Sequence, residues 1–224
     1  CERRLISTEN VLSGGPPRDG IPSIDEPSFI SFDEANDWLA DNEPVIALEI
    51  NGDARAYPLQ ILTWHEIVHA VVGDQPVVVP FCPLCNSALV FDATVNGEVY
   101  DFGVSGLLFN SDLIMYDRVN ESLWQQFTGE AIVGDLGGTR RDFVPSNLVS
   151  YANFKEAFPE GIVLSRETGF SRSYGNNPYA GYDTIGSNPF LFYGDLDGRL
   201  PAVERVVAVT LEDEGLDIAY PLSV

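Results

Sequence analysis

Val45-Ile46-Ala47-Leu48-Glu49-Ile50-Asn51-Gly52-Asp53-Ala54-Arg55-Ala56-Tyr57-Pro58-Leu59 is the stretch on which the fold turns. Val45 to Ile50 is rich in strand formers. Asn51-Gly52 supplies the positive φ angles of a type I′ turn, and Ala54 to Tyr57 returns, so the stretch reads as a β-hairpin. Pro58 suits the first turn of a helix, where its missing N–H costs nothing. That helix is expected to reach about Val72 and stop at Gly73. Ile61, Trp64, Val68, Val71 and Val72 fall on one face at the 3.6 period.

The same pattern returns late in the chain. Val206-Val207-Ala208-Val209-Thr210-Leu211 is followed by a turn and by Ala219-Tyr220-Pro221-Leu222. Residues 45–59 and 206–222 therefore form a short internal repeat, too brief for a solenoid. Both faces of Val206–Leu211 are largely apolar and need cover. A lone hairpin is marginal in water, so the second copy is expected to share a sheet with the first.

Between the two copies the signals alternate. Ser31-Phe32-Asp33-Glu34 is a capping box that opens a helix from about Phe32 to Ala40. Val77–Pro80 and Ala88–Phe91 read as strands. Asn96-Gly97 joins Leu89–Val95 to Val99–Val104 in a second hairpin. Leu113–Tyr116, Ala131–Val133 and Ile162–Leu164 are further strands, and Tyr151–Phe158 is a helix ended by Pro159. Residues 1–29 read as an irregular arm. Residues 30–224 read as a single α+β domain: a β-rich, mainly antiparallel, hairpin-built sheet with two or three short helices. Residues 170–193 form a long polar loop of the kind that carries function or contacts a protein partner. A sheet edge is the other expected partner surface.

Acids outnumber Lys plus Arg by 34 to 12, and the net charge of −22 repels nucleic acid and anionic lipid. Lys155 is the single lysine. An acidic, lysine-poor surface suits high salt, where screening removes self-repulsion, and points to a halophile. No apolar run approaches the roughly 20 residues of a transmembrane helix. Cys1 opens the sequence as a candidate lipid anchor.

The soft-ligand chemistry is concentrated between Trp64 and Asp92. His65 and His69 are the two histidines, and Cys82 and Cys85 are two of the three cysteines. On one helix the histidines would lie a turn apart at the border of the apolar face. His65-Glu66-Ile67-Val68-His69 matches the H-E-x-x-H pattern of zinc peptidases, although no third histidine is present. Cys82-Pro83-Leu84-Cys85 admits three readings: thiolate ligands for zinc or copper with His65, a dithiol–disulfide redox pair, or a static disulfide. Glu66, His69 and Met115 are further candidate ligands, a thioether suiting copper(I). Met115 also reads as core filler, and Asp112, Asp117 and Arg118 around it as surface pairs.

Several ordered motifs together resemble a known family. They are Trp64-His65-Glu66-Ile67-Val68, Cys82-Pro83-Leu84-Cys85-Asn86, Phe102-Gly103-Val104-Ser105-Gly106, Asn110-Ser111-Asp112-Leu113, Met115-Tyr116-Asp117-Arg118 and Asn177-Pro178-Tyr179-Ala180-Gly181-Tyr182. The chain resembles the prokaryotic domain-of-unknown-function family 3179 over nearly its whole length. The resemblance implies an exported, extracytoplasmic protein and supplies no reaction. His69 stands where the family pattern has Asn, which implies that His69 is no ligand and that the H-E-x-x-H match is accidental. His65, Cys82 and Cys85 match family positions. The expectation is an extracytoplasmic Cys–Cys–His site for zinc or copper. The alternatives are a thiol–disulfide redox protein and a cell-surface structural or binding module.

Overall fold

The computed structural model describes residues 3–182, 184–211 and 215–223. The expected lipid anchor at Cys1 lies outside them. The chain is β-rich and mainly antiparallel, with three short α-helices among the described residues. The helices are α1 (Phe32–Ala35), α2 (Leu59–His65) and α3 (Tyr151–Ala157). The long strands are β1 (Pro44–Ile50), β2 (Asp53–Pro58), β3 (Ile67–Val72), β4 (Gln75–Cys82), β5 (Phe102–Phe109), β6 (Asp112–Asp117), β7 (Val206–Leu211) and β8 (Leu216–Pro221). Shorter strands are given by residue range.

Local chemistry sets the starts and turns. Ser31 accepts from the Glu34 N–H while Glu34 reaches back to the Ser31 N–H, completing the capping box of α1. Asn51 and Gly52 take φ of 53° and 85° and turn β1 into β2. Asn96 and Gly97 do the same at 52° and 86°. That second hairpin is shorter than expected, pairing only Thr94–Val95 with Glu98–Val99. Phe102 and the residues after it pair instead with β6.

Three sheets and the helices stack in layers. The β1–β2 hairpin is flanked by Ser146–Ser150 and Ile162–Leu164, and Phe29–Ile30 completes this five-stranded sheet. One face of the sheet packs Val45, Ala47 and Ala56 against Tyr151 and Phe154 of α3. The other packs Ile46, Leu48 and Tyr57 against Ile61 and Leu62 of α2 and against Val77, Val79 and Phe81 of β4. Val78 and Cys82 of β4 face the opposite way, into a core with Phe102, Met115 and Trp124 of the six-stranded sheet built on β5 and β6. Strand β4 is thus apolar on both faces because both are covered.

Two expectations are corrected. Helix α2 ends at His65 rather than Val72, with Glu66 in the left-handed region at φ 58°. Ile67–Val72 is strand β3, paired with β4 around Gly73 and Asp74. Over so short a run Val68 and Val72 fit a period of 2 as well as one of 3.6, and Ile67, Val68, Val71 and Val72 are β-branched. Val71, expected on the apolar face, is exposed. The terminal pair β7–β8 forms a two-stranded sheet of its own and does not join β1 and β2. The edges of that hairpin sheet were already taken by Ser146–Ser150 and Ile162–Leu164. No helix among the described residues is long and apolar enough to cross a membrane.

Candidate functional site

Strand β4 ends at Cys82, and Ser87–Ala88 returns antiparallel to it with Ser87 opposite Cys82. Pro83 to Asn86 make the turn, with Asn86 at φ 49°. The two cysteines therefore sit at either side of one tight strand-to-strand connection. The Asn110-Ser111 turn between β5 and β6 meets them, both residues at positive φ (53° and 69°). The Ser111 carbonyl accepts from the Cys85 thiol at 3.4 Å and from the Cys82 thiol at 3.8 Å. Asp112 Oδ1 accepts from the Cys85 thiol at 3.6 Å, and Asp112 Oδ2 accepts the Phe127 N–H at 3.0 Å. Sγ of Cys82, Sγ of Cys85 and a carboxylate oxygen of Asp112 all lie within 4.8 Å of one another.

Three acidic groups are thus crowded into a largely buried place. Cys82 and Asp112 are buried, and Cys85 reaches the surface; both cysteines are free thiols. Burial pushes the Asp112 carboxyl up to about 6, against the hydrogen bond from the Phe127 N–H. The Cys82 thiol beside it, then burial and then Asp112, push the Cys85 thiol up. Cys82 and Asp112 both raise the cost of ionising Cys85, and a bound cation would offset that cost. The Ser111 hydroxyl oxygen next to them is buried, with the Tyr182 hydroxyl as its neighbour.

His65 was expected as the third ligand, and Asp112 is the residue that completes the group. Both ring nitrogens of His65 are engaged. Nδ1 donates to the Pro22 carbonyl at 2.8 Å, which leaves Nε2 to accept the Tyr174 hydroxyl at 2.6 Å. Burial lowers its pKa, consistent with a neutral ring. His69, on β3 rather than a helix, donates from Nδ1 to Asp25 at 3.1 Å and accepts the Phe102 N–H on Nε2 at 2.8 Å. Burial works against ionised Asp25, but His69, Arg118 and Ser23 hold its carboxyl well below the usual range. The H-E-x-x-H reading lapses, since its helix ends before His69. Met115 is fully buried in the core with Phe102 and Trp124.

Asp117 is also not the surface group that its neighbours suggest. It is fully buried and accepts from the Ser122 N–H at 3.0 Å and the Trp124 indole at 2.9 Å, fixing the turn after β6. Glu66, at the left-handed end of α2, is buried and its carboxyl is pushed up to about 8 by that burial, against a hydrogen bond with Tyr179. Asp112 and Ser111 were missed as site residues. They do carry marks in the sequence: both stand in the Asn110-Ser111-Asp112-Leu113 motif, and Asn110-Ser111 pairs a residue that tolerates positive φ with one that does not.

The fold and site define a β-rich protein that presents a pair of thiols on a hairpin turn beside a buried aspartate. A family model described as "Protein of unknown function (DUF3179)" matches residues 18–223, nearly the whole chain, and the chain belongs to that family. No curated protein and no solved structure matches the chain.

Proposed function

We propose that this protein binds a soft or borderline metal ion, zinc or copper(I), through the thiolates of Cys82 and Cys85 and the carboxylate of Asp112. The observation that carries the reading is the approach of those ligand atoms to within 4.8 Å of one another. Two sulfurs and one oxygen suit zinc, and the thiolates suit copper(I). An ion there would offset the burial that raises Asp112 and the neighbouring Cys82 and Asp112 that raise Cys85.

A redox pair is the second reading, and free, adjacent thiols with Cys85 at the surface favour it. Against it, the pair sits in a strand-to-strand turn and has no helix N-terminus to stabilise a thiolate. An extracytoplasmic setting in a high-salt prokaryote belongs to the proposal; it rests on the −22 charge and on the family resemblance.

The test is metal content with a free-thiol count on protein purified without chelator. One equivalent of zinc or copper is expected in the wild type, lost in Cys82→Ser and Cys85→Ser and weakened in Asp112→Asn. His69→Asn should keep its metal, because both ring nitrogens of His69 are already engaged. Protein that takes up neither ion when each is added under reducing conditions overturns the metal reading. Recovery of an oxidised Cys82–Cys85 pair in that protein moves the site to the redox reading.

A further inference from the structure

A cavity of about 520 Å³ lies beside the thiol turn, within the size range of small-molecule sites. Leu84 of that turn and Leu113, next to Asp112, form part of one wall. Tyr179, Tyr182 and Phe190, all from the long 170–193 loop, line another part. The rest of the described lining is apolar or glycine, apart from Glu66.

Glu66 is the one acidic residue in this lining, and no lysine, arginine or histidine accompanies it among the described lining residues. It occupies the left-handed position after α2, at φ 58°, where glycine or asparagine is the usual choice. The chain thus holds a glutamate in an unfavourable backbone conformation and buries it against an apolar cavity. Without a ligand the carboxyl stays largely protonated at neutral pH because burial opposes its charge.

The lining selects among ligand classes. An anion would find no positive group in the wall and would have to approach a protein of net charge −22. A neutral apolar molecule would fill the space and give the Glu66 carboxyl no partner beyond its hydrogen bond with Tyr179. An organic cation satisfies every part of the wall. Its charge pairs with Glu66, its alkyl groups meet the leucines, and the aromatic side chains offer negative ring faces.

We propose that this cavity binds a small alkylammonium compound, with Glu66 as its counter-ion and Tyr179, Tyr182 and Phe190 as its aromatic wall. The cavity adjoins the thiol centre, Tyr182 standing against Ser111, but Glu66 is not among the three grouped ligands and the proposal does not depend on a metal there.

The test is titration calorimetry on the full chain with choline and with its neutral isostere 3,3-dimethylbutan-1-ol, in which carbon replaces the charged nitrogen. Choline should bind at least ~10-fold more tightly than the alcohol, since a desolvated cation–π contact alone contributes on that order. Glu66→Gln, the same shape without the charge, should lose at least ~10-fold in choline affinity and leave the weak binding of the alcohol unchanged. Chelator-treated wild type should bind choline as untreated protein does, so failure of the metal reading leaves this proposal standing. Choline-headgroup vesicles form a third arm. Binding to them but not to free choline would assign the ammonium to a lipid headgroup, and binding to free choline assigns it to a soluble compound. Equal affinity for choline and the alcohol, or no binding of choline, tetramethylammonium or choline-headgroup vesicles to the wild type, overturns the proposal.

Discussion

The two copies of the Val-rich hairpin share a sequence pattern and little else. In the first, Val45, Ile46, Leu48 and Tyr57 are all 0% exposed. In the second, Val206 is 40% exposed, Val207 51%, Val209 37% and Tyr220 54%. Both fold as antiparallel hairpins with continuous registers, so strand formation and pairing are written locally. Burial is not. The first copy has a strand on each edge and helices on its faces, whereas the second pairs only with itself among the described residues. The value of an apolar residue here is set by what its neighbours bring to it.

The sharpest way to break that comparison is to truncate the matching tyrosines. Tyr57 packs edge-on against Phe29 with ring centroids 5.7 Å apart, inside the core shared by the sheet and α2. Tyr57→Ala should cost on the order of 3–5 kcal/mol, the usual range for removing a buried aromatic side chain. Tyr220→Ala should fall within about 0.5 kcal/mol of the wild type, as exposed substitutions do. Denaturant unfolding of the two variants measures both, and equal losses would show that the second hairpin is covered in solution. Tyr57→Phe refines the point. The Tyr57 hydroxyl is buried without a partner, so its removal should be neutral or stabilising.

A second difference lies just downstream. After the first copy the chain runs into α2 and delivers Glu66 to a buried position. Its carboxyl is raised from 4.5 to about 8, so the unfolded chain sheds this proton first. Between those two pH values the folded state holds more protons, and stability falls as pH rises through the window, levelling off above about 8. Glu66→Gln has no proton to lose. Its stability should match the wild type near the acid end of the window and exceed it by a few kcal/mol, to order of magnitude, above the alkaline end. A pH-independent difference between the two proteins would mean that the carboxyl stays hydrated.

What the sequence disclosed follows the same division between local and distant causes. The Asn51-Gly52 and Asn96-Gly97 turns and the Ser31/Glu34 capping box are short-range chemistry, and each was legible. The end of α2 was not. Val68 and Val72 satisfy helix and strand periods alike, and nothing in the residue type of Glu66 marks a left-handed position. The thiol pair was legible from its spacing, but its third member was not. Asp112 lies 27 residues beyond Cys85, and the two meet only because the β5–β6 turn docks against the end of β4. His65 was grouped with the thiols as a nitrogen ligand in the same stretch that matches a family position; in the structure its ring bonds Pro22 and Tyr174 instead.

The smallest expected effect concerns the second hairpin as a whole. Read from sequence, its apolar strands demanded a place in the main sheet, and at ~25 cal/mol per Å² such a place would make removal of residues 204–224 cost several kcal/mol. The structure reverses that expectation, because the hydrophobic term counts area taken out of water, and Val206, Val207, Val209, Leu211, Leu216 and Tyr220 all remain exposed. Local hydrogen bonds close the hairpin's base, from the Leu222 N–H to the Arg205 carbonyl and from Ser223 to Glu204. Deletion of 206–223 should therefore change stability by no more than about 0.5 kcal/mol, a shift in Tm of about 1–2 °C for a chain of this size. Differential scanning calorimetry of the shortened chain against the full one decides it. A fall of many degrees would show that these valines are withdrawn from water in solution by a contact that the single chain does not contain.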